Sequence, residues 1–136
     1  MGLTHLLDTG WIIRHLRGAG DYTAAISRLG AECLAVSVVT LAELAEGIYR
    51  ASDPDAARRA VDTFKADKAV LHLTPGVCDR FGSIRADLRG QNLLIGDMDL
   101  FIAATCLDWD LGLLTTNRKH FERVGGLRIV SEPSDI

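Results

Sequence analysis

Short apolar runs alternate with helical segments along most of the chain, and this alternation restricts the possible folds more than any other feature. Four runs rich in aliphatic residues have the composition of buried strands, and a fifth resembles an edge strand. Alternating strands and helices predict a three-layer α/β/α domain built on a mainly parallel sheet of four to five strands. The predicted strands are residues 3–7, 33–39, 69–73, 111–115 and 127–130.

Helices are predicted between these strands from periodicity and from residues that favour helix ends. Tyr22, Ala25, Ile26 and Leu29 recur at the spacing of one helical face, and Gly30 follows where helices commonly end. Proline is favoured in the first helical turn, which indicates two further helix starts. The other predicted helices begin after Thr9, after Thr40, at Pro54, at Pro75 and close to residue 100, and residues 118–121 are predicted to form a helical turn.

The length of 136 residues predicts one domain over residues 1–136, with a loose tail from about residue 131. No apolar run approaches the ~20 residues that cross a bilayer, and the N-terminus lacks the pattern of a secretory signal. Cys33, Cys78 and Cys106 are odd in number and contain no C-x-x-C pair. We therefore expect reduced, buried cysteines in a cytoplasmic protein.

The net charge of −3 at first argues against a nucleic-acid partner. If four of the 18 acids form a metal site, however, 15 bases remain against 14 acids. Basic residues also cluster locally, although a solvated helix face explains any single cluster equally well. Charge therefore leaves the partner undecided.

Two carboxylates one residue apart, Asp97 and Asp99, precede an almost wholly apolar stretch at residues 100–107. Such a stretch, rich in Ala and Leu, is typical of a helix buried over most of its surface. Both carboxylates then lie in the first turn, where the helix dipole favours negative charge. Helix capping explains them if they stand alone, since Asp is a preferred N-cap residue. A metal site requires further carboxylates that converge on the same point.

Asp8 and Glu43 are the acids that can meet this requirement. Asp8 follows the first predicted strand directly, although Asp8 or Thr9 can instead cap the next helix. Glu43 lies three residues after Thr40, which is the spacing of a capping box. Both acids lie just beyond the carboxyl end of a buried strand, where open α/β sheets bind ligands. The residues alone leave capping and ligand binding open for both.

The carboxyl ends of parallel strands lie at one edge of a sheet, so acids that are distant in sequence can converge there. Thr115 and Asn117 follow the fourth predicted strand and belong to the same edge. Clustered carboxylates repel one another unless a cation neutralises them. Oxygen ligands without a His or Cys cluster select hard ions, so we predict Mg²⁺, with Mn²⁺ as an alternative, rather than zinc.

Four segments occur in the order and spacing of the motifs of PIN domains. They read LLDT at residues 6–9, VTLAEL at 39–44, GDMDLFIAA at 96–104 and LTTNRKHF at 114–121. The whole chain resembles VapC-type toxins of bacterial toxin–antitoxin pairs. The resemblance implies a PIN-like fold and an Mg²⁺-dependent endoribonuclease that a small antitoxin, encoded beside it, inhibits.

The resemblance also implies which residues bind the metal and act in catalysis. Our hypothesis is that two acids bind Mg²⁺ directly, while a third completes the shell or orients the attacking water. The first two are Asp8 and Asp99, and the third is Glu43. Asp97 matches a frequent additional acidic position of the family.

The fourth motif departs from the family pattern. An acid often stands just before its Phe, where this chain has His120. Thr115 and Asn117 are therefore the expected auxiliary polar groups, and the number of metal ions, one or two, stays open. His120 is most simply a surface residue or a residue that contacts a ligand of the metal.

The partners follow from the same resemblance. Candidates for holding the RNA backbone are Arg118, Lys119 and Arg85. Only eight aromatic residues are present, so base recognition by stacking is not expected to dominate. Family members usually form dimers, and the antitoxin typically covers the cleft and nearby helices. Here these are the helices at residues 43–49 and 61–64.

Two other classes of function compete with the nuclease. A receiver-like signalling module shares the size and the sheet, but it is expected to have paired acids after its first strand and an Asp after its third. This chain has a lone Asp8 and a Leu-Thr-Pro sequence at residues 73–75. An inactive PIN-like interaction domain is the second alternative, and a nuclease assay separates it from the enzyme.

Overall fold

A computed structural model describes residues 2–136 of the chain. Strands and helices alternate as the sequence predicts, with two short 3₁₀ turns, at Ala31–Cys33 and Pro133–Asp135. The elements are β1 (His5–Leu7), α1 (Thr9–Leu16), α2 (Gly20–Leu29), β2 (Leu34–Ser37), α3 (Val38–Arg50), α4 (Pro54–Lys65), β3 (Ala69–Leu71), α5 (Pro75–Gly90), α6 (Asp97–Trp109), β4 (Gly112–Leu114), α7 (Arg118–Phe121) and β5 (Ile129–Val130).

The five strands form one parallel sheet in the order β3-β2-β1-β4-β5. This confirms the predicted fold class, and β1 lies at the centre with β2 and β4 on either side. In the register of the sheet, Leu7 pairs with both Val36 and Leu114. The next residue of each strand therefore reaches the same edge, which brings Asp8 level with Ser37 and Thr115.

Successive residues of the central strands face opposite layers, as the alternation of side chains in a strand requires. Leu6 packs in a core with residues of α5, α6 and α7, whereas Leu7 packs in a second core with residues of α1 to α4. Both leucines are fully buried. Because helices cover both faces, the strands are mainly apolar, and their polar residues, such as His5 of β1 and Ser37 of β2, stand at the strand ends.

Helix α3 begins earlier than the sequence pattern predicts. Its N-cap is Ser37, whose hydroxyl accepts a hydrogen bond from the Thr40 amide at 3.2 Å. The predicted second strand of residues 33–39 is consequently shortened to Leu34–Ser37, and Thr40 lies inside the helix. The capping box predicted for Thr40 and Glu43 is therefore wrong, and Glu43 is free of that role.

Two smaller features concern the tail and the cysteines. Pro133 is buried, and its carbonyl accepts a hydrogen bond from Arg28 of α2, while the looseness expected of the tail stays a prediction. Burial was expected for all three cysteines, but only Cys106 is buried, whereas Cys33 is half-buried and Cys78 is exposed. Within residues 2–136, no helix combines the length and the apolar character needed to cross a membrane.

Candidate active site at the carboxyl edge of the sheet

Asp8 occupies the centre of the edge at which the strands end. One carboxylate oxygen, Oδ1, accepts a hydrogen bond from the Thr9 amide at 2.8 Å, so Asp8 does cap α1. The other oxygen, Oδ2, accepts one from the Thr115 hydroxyl at 2.8 Å. The cap therefore uses only one of the two oxygens, and the second faces the polar residues that follow β4.

The electrostatic surroundings of Asp8 are unfavourable for a negative charge. Burial is the main cause that raises the pKa of its carboxyl group, to about 6, and the charges of Asp99 and Glu43 raise it further. The hydrogen bonds from Thr115 and Thr9 act in the opposite direction but do not offset these effects. Three carboxylates from separate segments thus interact at this edge.

Glu43 lies on α3 and is connected to β1 through Thr9. The Thr9 hydroxyl donates a hydrogen bond to Glu43 Oε1 at 2.8 Å, while the Thr9 amide binds Asp8. Thr9 therefore holds both acidic side chains at the junction of β1, α1 and α3. The sequence alone indicates Thr9 only as a possible helix cap. Its position directly after Asp8 is the one sequence signal that points to this role.

Asp97 and Asp99 lie in the first turn of α6, as predicted, but neither caps the helix. The N-cap is Gly96, which has no side chain to accept a hydrogen bond. Asp97 instead forms an ion pair with Arg85 of α5, at 3.1 Å between Nε and Oδ1. Asp99 Oδ2 lies 3.2 Å from His120 Nδ1. The capping explanation for these two acids is therefore wrong.

The turn between β4 and α7 connects Asp8 to Asp99. The Thr115 hydroxyl, which donates to Asp8, accepts a hydrogen bond from the Asn117 amide N–H at 3.0 Å. The Asn117 side chain lies 2.8 Å from His120 Nδ1, and the same ring nitrogen contacts Asp99. Thr115, Asn117 and His120 thus connect two acids that are 91 residues apart in the sequence, and Asn117 contributes its backbone amide to one contact and its side chain to the other.

The basic residues near the site differ in how they are held. Arg118 donates hydrogen bonds to the Ser131 hydroxyl and to the Ile129 carbonyl, so its guanidinium fastens β5. This structural role weakens its candidacy as an RNA contact. Lys119 is exposed on α7, and Arg85 is engaged by Asp97.

The donor chemistry of this edge fits a hard divalent cation. Carboxylates and hydroxyls lie at this edge of the sheet. The pKa of Asp8 is raised mainly by burial and further by the charges of Asp99 and Glu43, and a cation would offset these charges. The buried Thr40 hydroxyl, one helical turn before Glu43, has no hydrogen-bond partner within residues 2–136. In the same part of the chain, no three His, Cys, Asp or Glu side chains are close enough together to surround an ion. The residues at this edge therefore fit a divalent cation in the type of their donor atoms and in their charge.

An apolar groove of about 360 Å³ lies beside Glu43 between α1, α3 and α4. The antitoxin was expected to cover the helices at residues 43–49 and 61–64. The groove is lined by Glu43 and Val61 but not by Phe64, so it overlaps this expected surface in part. Its lining residues are mainly small or aliphatic: Ile13, Leu16, Leu44, Gly47, Ile48 and Ala60 among them.

Comparison with known proteins identifies the family. A model of the PIN domain matches residues 5–127, which is most of the chain. The chain belongs to the PIN-domain family. This membership confirms the resemblance drawn from the four motifs and excludes the receiver-like module.

VapC proteins are among the relatives of this PIN-domain chain. Ribonuclease VapC2 of Haemophilus influenzae is 31% identical over 126 residues, which cover 93% of this chain and 96% of the relative. The tRNA(fMet)-specific endonuclease VapC of Shigella flexneri is 30% identical, with the same coverage of both chains. The crystal structure of DNA-bound VapBC from Salmonella typhimurium contains a chain of similar fold, with a TM-score of 0.88, 27% identity and coverage of 94% and 97%.

Proposed function

We propose that this PIN-domain protein is a metal-dependent endoribonuclease and the toxin of a toxin–antitoxin pair. The observation that carries the proposal is the buried Asp8, whose pKa is raised in part by the charges of Asp99 and Glu43. VapC relatives named ribonuclease or endonuclease, similar over nearly the whole chain, support RNA as the substrate. The VapBC complex of similar fold supports an antitoxin as the partner.

In this proposal the acids hold a single type of ion, Mg²⁺ or, as a substitute, Mn²⁺. Asp8 and Asp99 would bind it directly, while Glu43 would complete the shell or orient the attacking water. When bound, the cation lowers the pKa of a water molecule and offsets the charge that develops on the phosphate. Thr9 and Thr115 hold the carboxylates in position through the hydrogen bonds at 2.8 Å.

The other polar residues of the edge have supporting roles. Asp97 is auxiliary, since Arg85 already neutralises it. Lys119, exposed on α7, is the stronger candidate for an RNA phosphate contact, whereas Arg85 can reach RNA only by leaving Asp97. Asn117 orients His120 rather than contacting the substrate.

The apolar groove beside Glu43 is the proposed binding surface for the antitoxin. A groove lined by small and aliphatic residues accepts an apolar helix or an extended apolar segment. Because Glu43 lies at its margin, a segment seated in the groove ends beside the carboxylates and blocks access of RNA to them.

The test is cleavage of RNA by the purified protein, with Mg²⁺ or with EDTA. Total RNA is the first substrate, and initiator tRNA is the first defined one, because one relative is named for it. We expect cleavage with Mg²⁺, none with EDTA and none by Asp99→Asn. A protein that binds RNA but leaves it intact under all conditions would be an inactive interaction domain, and the proposal would be wrong.

A further inference from the structure

The apolar groove between α1, α3 and α4 has two charged lining residues, and their charges are opposite. They are Glu43 and Arg17, whereas the other nine lining residues are glycine, alanine or aliphatic residues. Glu43 accepts one hydrogen bond, from the Thr9 hydroxyl. Neither residue forms a salt bridge with a side chain of residues 2–136. Both charges are therefore available to a partner that enters the groove.

The two charges lie at opposite ends of the groove. Helices α1 and α3 both begin at the carboxyl edge of the sheet, because they follow the parallel strands β1 and β2. Thr9, the first residue of α1, contacts Glu43, whereas Arg17 is the C-cap of the same helix. Arg17 comes eight residues after Thr9. Since an α-helix rises about 1.5 Å per residue, these residues are about 12 Å apart along the groove.

The lining between these ends suits a helix. Several of its residues are small, namely Gly47, Ala51, Ala57 and Ala60, so a helix backbone can approach α3 and α4 closely. A Cβ atom placed on Gly47 would have no neighbouring atom within 4 Å, which leaves open space at this point of α3. A length of about 12 Å corresponds to about two helical turns, over which one face presents several apolar side chains.

We infer that the groove binds an antitoxin helix whose apolar face lies between a basic residue at the Glu43 end and an acidic residue at the Arg17 end. The inference rests on the proposed function, in which an antitoxin is the partner. Burial of the apolar face supplies most of the affinity, and the two ion pairs fix the register of the helix. The acidic residue opposite Arg17 therefore distinguishes a matching antitoxin from other apolar helices.

The test measures binding of the full-length protein to two synthetic helical peptides that differ at one position. Both have a face of Leu and Ala and a Lys at one end of it. About seven residues further along, the first peptide carries Glu and the second carries a second Lys. For the wild type, we expect the Glu peptide to bind about 10-fold more tightly, because the second peptide brings Lys against Arg17. Fluorescence anisotropy of the labelled peptides gives both affinities.

Two charge-reversal variants locate the effect. Arg17→Glu should reverse the order, so that the second peptide binds about 10-fold more tightly than the Glu peptide. Arg59→Glu is the matched control, because it makes the same change on α4 at an exposed residue outside the lining of the groove. It should keep the wild-type order. Arg17 is also exposed, so both variants should fold, and thermal melting checks this.

The outcomes separate the inference from the function on which it rests. No binding of either peptide, or the same order of affinities in wild type and Arg17→Glu, overturns the inference. Loss of self-association in Arg17→Glu with unchanged peptide affinities assigns the groove to a second copy of this chain and overturns it as well. If Arg17→Glu reverses the order but the wild type cuts no RNA, the inferred charge pattern is supported and the proposed nuclease function fails.

Discussion

The acids at the carboxyl edge of the sheet fall into two halves, and their negative charges are compensated by different groups. In the strand half, Asp8 and Glu43 are held by hydroxyls and by one backbone amide at 2.8 Å. In the helix half, Asp97 and Asp99 begin α6 and contact Arg85 and His120. The strand half places its charge in a buried setting, whereas the helix half combines partial exposure, basic neighbours and the positive end of a helix dipole.

This difference affects the pKa of Asp8 and the stability of the metal-free protein. The pKa of Asp8 is raised to about 6, chiefly by burial, because hydroxyls stabilise a carboxylate less than the lost water did. The strand half therefore destabilises the metal-free fold and favours a cation, while the helix half is compensated within the protein. Four predictions sharpen or break this comparison.

The largest effect is expected for Asp99→Asn. Cleavage of RNA should fall at least ~100-fold, the scale seen when one group that stabilises developing charge is lost. The metal-free protein should be equally stable or more stable, because repulsion of Asp8 is relieved. The measurements are initial rates with Mg²⁺ and melting in EDTA. Asp110→Asn, at the opposite end of α6, is the control and should cut like the wild type.

The second prediction concerns the dependence of stability on pH without metal. Because the folded-state pKa of Asp8 is above its ordinary value of 3.8, the native state binds the proton more tightly. The contribution of Asp8 to stability should therefore fall as pH rises from about 4 to about 6, by about 3 kcal/mol. Denaturant titrations in EDTA should show a difference between wild type and Asp8→Asn that changes over this range. A difference that does not change with pH would mean that the folded protein does not disfavour the charged form of the Asp8 carboxyl group.

A smaller loss, ~10–100-fold in cleavage, is expected for Glu43→Gln. The amide oxygen of Gln still accepts the hydrogen bond from Thr9, so the fold should be retained and only the negative charge removed. Thr9→Val, which leaves the charge but removes the hydroxyl, should have a weaker effect. If Glu43→Gln cuts RNA as fast as the wild type, the strand half contributes only Asp8.

The smallest effect is expected for Arg85→Gln in the helix half. The Asp97 side chain is 63% exposed and that of Arg85 is 35% exposed, so loss of their ion pair should cost less than about 1 kcal/mol of stability. Thermal melting measures this directly. A much larger loss would show that the helix half depends on this pair as strongly as the strand half depends on its hydroxyls.

Local patterns were sufficient to predict the architecture. Alternating apolar runs and helical segments predicted a parallel sheet, and the four motifs predicted the family, which the PIN-domain match confirms. They also placed Asp97 and Asp99 in the first turn of a buried helix. The boundary of α3 was predicted wrongly, because Ser37 and Thr40 both qualify as caps and only the end of β2 decides between them.

The sequence did not predict which side chains form hydrogen bonds with the acids. Thr9 with Glu43, Thr115 with Asp8 and His120 with Asp99 are pairs separated by 34, 107 and 21 residues. Their hydrogen bonds depend on the strand order and on the register that aligns Leu7 with Leu114. No local pattern encodes that register, because it results from the packing of two cores on opposite faces of one sheet.

The sequence by itself thus determined that this chain is a PIN-domain protein with acids at the strand ends and at the start of α6. The four motifs carry the resemblance to the family, while composition and periodicity indicate which residues are buried and which segments form strands and helices. Only the tertiary structure decided that hydroxyls hold Asp8 and Glu43, while Arg85 and His120 compensate Asp97 and Asp99. The reason is physical: charge compensation depends on distance in space, and that distance is set by how the sheet and its helices pack.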